Sequence, residues 1–180
     1  MNLVHYTHHD SPLGPLLLAA SERGLRAVYM QGQRHVSDAP HPSWTAIGGV
    51  PNAAVRVLDD TRRQLDDYFA GVRSDFDVPL DVAGSPFQQA VWTGLRAIPF
   101  GATISYGELA RRIGAPKAVR AVGLANGRNP VSVVVPCHRV IGTNGAMTGY
   151  GGGLERKRFL LALEARVAQP AGAVAPFVLA

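Results

Sequence analysis

The fold of this chain is decided by residues 104–140, which read ISYGELARRIGAPKAVRAVGLANGRNPVSVVVPCHRV. Apolar residues recur at helical spacing over 106–113, Gly114 interrupts the pattern, and a second helical segment covers 117–126. Two short helices joined by a tight, glycine-containing turn form a helix-turn-helix pattern, which predicts DNA binding, although many helical hairpins share this spacing. The basic residues on or just beyond the second helix are Lys117, Arg120 and Arg128.

The run that follows ends at the only cysteine of the chain. The β-branched residues of 131–135 predict a buried strand, and Pro136 ends it, so that Cys137 lies at a junction between strand and turn. A thiolate is the reactive form of cysteine, and a neighbouring base such as His138 favours it. On a regular strand the two side chains would point to opposite faces, so they cooperate only if the segment turns or if a water bridges them.

A carboxylate behind His138 would orient the imidazole and raise its basicity. The second half offers Glu108, Glu155 and Glu164, and Glu164, on the last predicted helix, is the candidate that the resemblance given below favours. A trio of cysteine, histidine and carboxylate suits a cysteine hydrolase equally well. The two readings differ in outcome, because a thiolate that attacks an alkyl carbon forms a thioether, which water does not readily hydrolyse. Such a protein would act once per molecule.

The remainder of the second half is helical and glycine-rich. Ser85 is a good helix N-cap and Pro86 suits the first helical position, so a helix is predicted from there to about residue 98. Residues 141–153 contain six glycines, with Tyr150 among them, and predict a loop that lets backbone groups approach a ligand. The last helix is predicted over about 154–166.

The first half predicts a small antiparallel sheet followed by a helix. Apolar runs separated by turn signals predict strands at 3–7, 16–20 and 26–30. Residues 31–51 predict a loop, and Asn52 is expected to cap a helix that ends at Gly71. Residues 75–82 could form a further strand or a linker.

Composition agrees with a globular protein. Of 180 residues, 47% are apolar and 17% are charged, and no apolar run reaches the length of about 18 residues that a membrane helix needs. We therefore expect no membrane association. A single cysteine cannot form an internal disulfide, which favours a reducing cytoplasm.

Charge is divided unevenly along the chain. Residues 1–83 hold seven Arg and no Lys against ten acids, a net charge of −3, whereas residues 84–180 hold eleven Arg and Lys against three acids, a net charge of +8. A basic half beside an acidic half is typical of a polyanion-binding domain next to a scaffold. The expected organisation is an α/β (α+β) chain with an N-terminal sheet and helix domain (1–83), a mostly helical domain with the helix-turn-helix and cysteine (84–166), and a tail (167–180).

The sequence PCHRV at 136–140, followed by the glycine and tyrosine loop, resembles the O6-alkylguanine-DNA alkyltransferases, also called methylated-DNA–protein-cysteine methyltransferases. The resemblance runs nearly continuously from Ser85 to Glu164 and includes the helix-turn-helix and Asn129-Pro130. In the first half it extends only to the general layout. It implies suicide repair of duplex DNA, in which the alkyl group of O6-alkylguanine moves irreversibly to Cys137 after base flipping. O4-alkylthymine is a second candidate substrate.

The resemblance also implies a role for each site residue. Cys137 would accept the alkyl group, His138 would act as base through a water, Glu164 would orient His138, and Asn129 would tie the active-site turn to the helix-turn-helix. The residues implied in binding DNA and the flipped base are Tyr106 (guanine N3), Arg120 (the finger that fills the base stack), Tyr150 (pocket wall), Gly151 (N–H toward O6), Val140 and Cys137 (carbonyls for the exocyclic amine), with Lys117 and Arg128 nearby.

The implied partner is double-stranded DNA, entered from the minor groove by the second helix, with the protein acting as a monomer or assembling cooperatively on DNA. No cofactor is expected, because the DNA itself is the alkyl donor. No zinc site is expected, because the cysteines that some family members use for it are not in this chain. A non-catalytic sensor of alkylated DNA and a cysteine hydrolase are the alternative functions.

Overall fold

A computed structural model describes residues 3–48 and 52–169. The first half contains a four-stranded sheet made of β1 (Val4–His9), β2 (Leu16–Ser21), β3 (Gly24–Met30) and β4 (Trp44–Ala46), in the order β3-β2-β1-β4. The first three strands are antiparallel, as predicted, but β4 pairs parallel to β1, so the sheet is mixed. The prediction of a plain loop over 31–51 missed β4, because its three residues are surrounded by turn-forming ones.

Helix α1 (Ala53–Phe69) packs against this sheet. The Asn52 side chain accepts a hydrogen bond from the Val55 N–H at 2.9 Å, which confirms the predicted cap. Leu58, Leu65 and Tyr68 are buried on the face that meets the strands. The predicted strand or linker at 75–82 is extended chain, with a single bridge between Leu25 and Leu80.

The second half is mostly helical. It contains α2 (Pro86–Arg96), α3 (Tyr106–Arg112), α4 (Val119–Gly127) and α5 (Leu154–Ala168), with a short parallel pair between β5 (Ile104–Ser105) and β6 (Val140–Ile141). Ser85 and Gln88 form a reciprocal capping box at the start of α2, as the Ser-Pro pair indicated. Helices α3 and α4 form the predicted helix-turn-helix.

Residues 131–135 do not form the predicted strand. They form a tight turn in which the Val134 N–H donates to Ser132 O and the Val135 N–H donates to Val131 O, both at 2.9 Å. Val133 has a φ of +72°, a left-handed conformation that is rare for a β-branched residue. The β-branched residues correctly indicated burial, but they do not distinguish a strand from a buried turn. The prediction was wrong because the reversal of the chain depends on Asn129, whose contacts are described below.

One hydrophobic core joins the two halves of the described chain. Buried side chains of the sheet, α1, α2, α3, α4 and α5 belong to the same cluster. The edge of β3 also pairs with the segment before the turn, since the Val28 N–H donates to Pro130 O and the Ser132 N–H donates to Val28 O. The predicted tail begins inside α5, and residues 170–180 lie outside the described residues.

Within the described ranges, no helix has the length and apolar character needed to cross a membrane.

Candidate functional site

Cys137 lies at the start of a short 3₁₀ turn, Cys137–Arg139. The Cys137 N–H donates to Val135 O at 2.8 Å, and both Cys137 and His138 are buried. The segment therefore turns at the cysteine, which removes the geometric objection that a regular strand would have raised. Cys137 as a residue is only 4% exposed, so that a ligand must reach the thiol through the surrounding groups.

Asn129 connects the turn of residues 131–135 to the thiol. Its Oδ1 accepts from the Val131 N–H at 3.1 Å, while its Nδ2 donates to Val135 O at 2.8 Å and to Cys137 Sγ at 3.1 Å. Burial raises the pKa of the Cys137 thiol, and the hydrogen bond from Asn129 and the charge of Lys157 oppose that rise. Asn129 thus fixes the turn and favours the thiolate at once.

Glu164, on α5, is a fully buried carboxylate with several donors. Its Oε1 is 2.8 Å from His138 Nε2, and it accepts from Arg139 through Nε (2.8 Å) and Nη2 (2.9 Å). Tyr68 Oη (2.7 Å) and the Gly101 N–H (3.0 Å) also donate to it. Burial alone would raise the pKa of Glu164, but the hydrogen bonds and charges of His138 and Arg139 lower it to about 2, so the group is ionised at neutral pH.

His138 is held as a neutral base. Burial lowers the pKa of His138, and the hydrogen bond to Glu164 only partly offsets this. Because an ionised carboxylate only accepts hydrogen bonds, the proton lies on Nε2 and leaves Nδ1 as the basic nitrogen. Nδ1 is buried and has no hydrogen-bond partner among the described residues.

Lys157 is a buried cation that the sequence prediction missed. Its Nζ donates to Val140 O at 2.6 Å and to Thr148 O at 3.1 Å. Burial lowers the pKa of Lys157 to about 8, while a charge on Cys137 raises it. The ammonium therefore joins Val140, which precedes the glycine loop, to Thr148 within it, and places a positive charge near the thiol. The only hint in the sequence is the apolar side of α5, on which a lysine is unexpected.

A cleft of about 440 Å³ lies beside this network. One face of α4 lines this cleft. The lining residues are Val119 and the residues one, four, five and eight positions after it, a spacing that places them on one side of a helix. The α4 residues in the lining are Val119, Arg120, Gly123, Leu124 and Gly127. Arg120 is exposed, so that its side chain is free to reach a ligand.

The glycine loop forms the opposite wall of the cleft, together with Tyr106 at the start of α3. Tyr106 Oη donates to the carbonyls of Thr148 and Gly149, each at 3.2 Å. Burial, followed by the charge of Cys137, raises the pKa of Tyr106. Tyr150 and Gly151 line the same wall.

Other predicted residues lie further from the cleft. The Val140 carbonyl already accepts a hydrogen bond from Lys157, and the Cys137 carbonyl accepts from Asn126 Nδ2 (3.4 Å) and from the Val140 N–H. Lys117 is in the turn before α4, because the helix begins at Val119 and not at 117 as predicted. Arg128 lines a separate cleft with Asn129.

The first half of the chain also contributes to the site, which the sequence did not indicate. Arg34 and His35 line the cleft, and the Arg34 N–H donates to Gly151 O at 2.9 Å. Tyr68 of α1 donates to Glu164, as described above. These contacts join residues about 100 positions apart, which no local pattern reveals.

Within the described ranges, no group of three or more His, Cys, Asp or Glu side chains is arranged to hold a metal ion. The buried hydrogen-bonding groups around Cys137 form a network suited to acid–base and nucleophilic chemistry.

Comparisons with known proteins agree on one family. Residues 4–82 match the family model described as 6-O-methylguanine DNA methyltransferase, ribonuclease-like domain, and residues 86–166 match 6-O-methylguanine DNA methyltransferase, DNA binding domain.

Proteins of similar sequence and structure carry the same family name. The methylated-DNA–protein-cysteine methyltransferase of Mycobacterium tuberculosis is 51% identical over 162 residues, which cover 90% of this chain and 93% of the relative. The enzyme of the same name from Methanosarcina acetivorans is 49% identical over 162 residues, covering 89% and 98%. The crystal structure of Mycobacterium tuberculosis OGT in complex with DNA superposes with a TM-score of 0.81 at 50% identity, covering 93% of this chain and 96% of that one. This chain belongs to the methylated-DNA–protein-cysteine methyltransferase family.

Proposed function

We propose that this protein repairs O6-alkylguanine in duplex DNA by transferring the alkyl group irreversibly to Cys137. The observation that carries the proposal is the network Asn129–Cys137 and His138–Glu164 beside a cleft walled by α4. A sulfur nucleophile, a neutral base and a carboxylate that orients the base are the components that alkyl transfer requires. Family membership supports the same reaction.

The thiol must lose its proton before it attacks. His138 Nδ1 is the free basic nitrogen, and we assign it as the base that takes the Cys137 proton through a water molecule. Glu164 then stabilises the imidazolium that forms, and Lys157 and Asn129 stabilise the thiolate. Cys137 Sγ attacks the alkyl carbon, the S–C bond forms as the C–O6 bond breaks, and the electron pair of that bond remains on the purine.

The departing purine needs hydrogen-bond donors. The Tyr106 hydroxyl, which lines the cleft, would turn from the Thr148 carbonyl to guanine N3, and the Gly151 N–H would face O6. The Tyr150 ring forms the pocket wall, and the carbonyls of Cys137 and Val140 would accept from the exocyclic amine. These contacts stabilise charge that develops during the transfer.

The target atom is inside the helix of duplex DNA, so the nucleotide must rotate out, at a cost of a few kcal/mol. In the proposal, α4 enters the minor groove, Arg120 fills the space left in the base stack, and Lys117 and Arg128 contact phosphates. Two half-buried glycines on the face of α4 that lines the cleft, Gly123 and Gly127, would let this helix approach the DNA closely. One copy of the chain, acting as a monomer, completes one transfer, because the thioether is not hydrolysed.

The test uses duplex DNA labelled on the O6-methyl carbon of guanine. We expect one equivalent of label on the wild-type protein and none on Cys137→Ser. Tight binding of the modified duplex without transfer would instead show a non-catalytic sensor. Turnover of many equivalents of a chromogenic ester would show a cysteine hydrolase, and either result would overturn the proposal. A duplex labelled on O4-methylthymine tests the second substrate.

The role of Arg120 is tested by Arg120→Ala. Because only duplex DNA requires a flipped base, we expect this change to slow repair of the duplex at least about tenfold while the rate with free O6-benzylguanine stays unchanged. Arg96→Ala, which removes an exposed arginine at the end of α2, is the control and should leave both rates unchanged. Equal losses on the two substrates would contradict the finger role.

A further inference from the structure

Three buried polar atoms around Cys137 have no hydrogen-bond partner among the described residues: His138 Nδ1, Tyr150 Oη and Asn126 Oδ1, the last on the side chain whose Nδ2 donates to Cys137 O. The charged neighbours are already engaged, since Glu164 accepts from several donors and Lys157 donates to two carbonyls. Buried polar groups are nearly always hydrogen-bonded, and ordered water is the usual partner where protein supplies none. His138 Nδ1 and Tyr150 Oη therefore each require a partner that the described residues do not provide.

The position of Tyr150 directs its hydroxyl inward. The residue lines the cleft, yet it is only 6% exposed and its oxygen is inaccessible, so the ring forms the wall while the hydroxyl points into the protein. Burial raises the pKa of Tyr150, and charges on Cys137 and Tyr68 raise it further. Cys137 is one end of the hydrogen-bond network and Glu164 is the other. Tyr68 marks the second end, because its Oη donates to the same Glu164 oxygen that contacts His138 Nε2. Tyr150 is therefore near both ends.

Of these atoms, Tyr150 Oη and His138 Nδ1 are complementary to each other. Tyr150 Oη is a donor, whereas His138 Nδ1 is an acceptor, because its proton is on Nε2. One water molecule can accept from Tyr150 and from the Cys137 S–H while it donates to Nδ1. A water with at least two such partners is held well enough to be ordered.

We propose that the Tyr150 hydroxyl and His138 Nδ1 bind one buried water beside Cys137 Sγ, which makes Tyr150 a positioning residue for proton transfer. In this step the S–H proton moves to the water, a water proton moves to Nδ1, and the electron pair of the S–H bond remains on sulfur as the thiolate. The Tyr150 O–H bond stays intact and only orients the water. This inference rests on the proposed function, which supplies the need for the relay.

The test is Tyr150→Phe, which keeps the ring that lines the cleft and removes only the hydroxyl. The rate with free O6-benzylguanine is measured across pH, so that DNA binding is not involved. We expect the rate at neutral pH to fall about tenfold. The apparent pKa of the thiol should rise, and the rate should approach the wild-type value once alkali ionises the thiol directly.

The other ionisable groups around the relay are the same in both proteins. Lys157 and Glu164 face it from α5, Tyr68 from α1 and Tyr106 from α3, while Arg139 adjoins His138 and Arg156 affects Tyr150. A difference between the two pH profiles is therefore due to the missing hydroxyl. Tyr6→Phe, a change in β1 on the other face of the sheet, is the control and should leave the profile unchanged.

Three results would be decisive against the relay. Identical profiles would overturn it, and so would a rate lowered by the same factor at every pH, which would indicate a packing role only. A high-resolution crystal structure without a water within about 2.6–3.2 Å of both atoms would also overturn it. If wild-type protein fails to react with O6-benzylguanine and with modified DNA, the proposed function fails instead, so the two failures are distinguishable.

Discussion

At the scale of single residues, the site combines groups that the sequence could identify with groups that it could not. Cys137 and His138 are adjacent in the chain, so their cooperation was predictable once a turn was assumed. Glu164 and Asn129 were predicted through resemblance, and the structure brings them to His138 and to the thiol. Lys157 and Tyr68 were missed, because burial of a lysine and a contact across 96 positions are products of tertiary packing.

Glu164 should make stability depend on pH in acid. Its pKa is about 2 in the folded protein against an ordinary 4.5, so the stabilisation is complete above pH 4.5 and is lost as the pH falls toward 2. We expect Glu164→Gln to lower the free energy of unfolding most at neutral pH, with a difference from wild type that shrinks over this window. Urea denaturation at a series of pH values measures it.

Glu155→Gln changes an exposed carboxylate in the first turn of the same helix and serves as the control. It should have nearly the same stability as wild type across the acid range. A stability difference for Glu164→Gln that stayed constant from neutral pH to pH 2 would contradict the assignment.

At the scale of elements, sequence predicted the helices better than the turns. Side-chain caps such as Asn52 and Ser85 act over three residues and therefore leave a local signal. The turn at 131–135 leaves none, because Asn129 holds it from outside and its valines are as β-branched as those of a strand. The parallel strand β4 was missed for a similar reason, since its pairing with β1 is set by the path of the preceding chain.

The turn stores backbone strain at Val133, and substitution can release it. Glycine adopts a φ of +72° without strain, whereas holding a non-glycine residue such as Val133 there costs about 1–3 kcal/mol of folding free energy. Val133→Gly and Val131→Gly each remove a buried valine side chain, but only the first also relieves strain. We therefore expect Val133→Gly to lower the free energy of unfolding by about 1–3 kcal/mol less than Val131→Gly does.

Urea denaturation of the two variants beside wild type gives the comparison. Equal losses of stability would show that the left-handed conformation of Val133 carries no appreciable energy.

At the scale of the whole molecule, the two halves differ in charge yet share one core. The division predicted near residue 84 follows the charge and stays a prediction, while hydrogen bonds such as Arg34 N–H to Gly151 O cross it. The acidic half therefore does more than support the basic one, because it supplies a wall of the cleft and a donor to Glu164. The net charge of residues 1–83 indicated only a scaffold and did not predict that these residues contact the cleft and Glu164.

Alkylation should destabilise the entire fold. Cys137 is 4% exposed and its sulfur accepts a hydrogen bond from Asn129, so an added methyl group must displace packed neighbours at a cost of about 1–3 kcal/mol. We expect the Tm to fall by about 2–4 °C for each kcal/mol after stoichiometric reaction with methylated DNA. Cys137→Ser, mixed with the same DNA, controls for binding, and an unchanged Tm of the methylated protein would refute the expectation.

The pairing of β3 with the segment that precedes the turn links the sheet of the first half to the nucleophile. Val28 exchanges backbone hydrogen bonds with Pro130 and Ser132, and Asn129, the neighbour of Pro130, touches the sulfur. A shift of that strand by even a fraction of an ångström would thus be transmitted to the nucleophile through two peptide groups. The position of the hydrogen-bond donor to the sulfur therefore depends on the first half of the chain, so a substitution that moves β3 can change reactivity at Cys137 without contacting it.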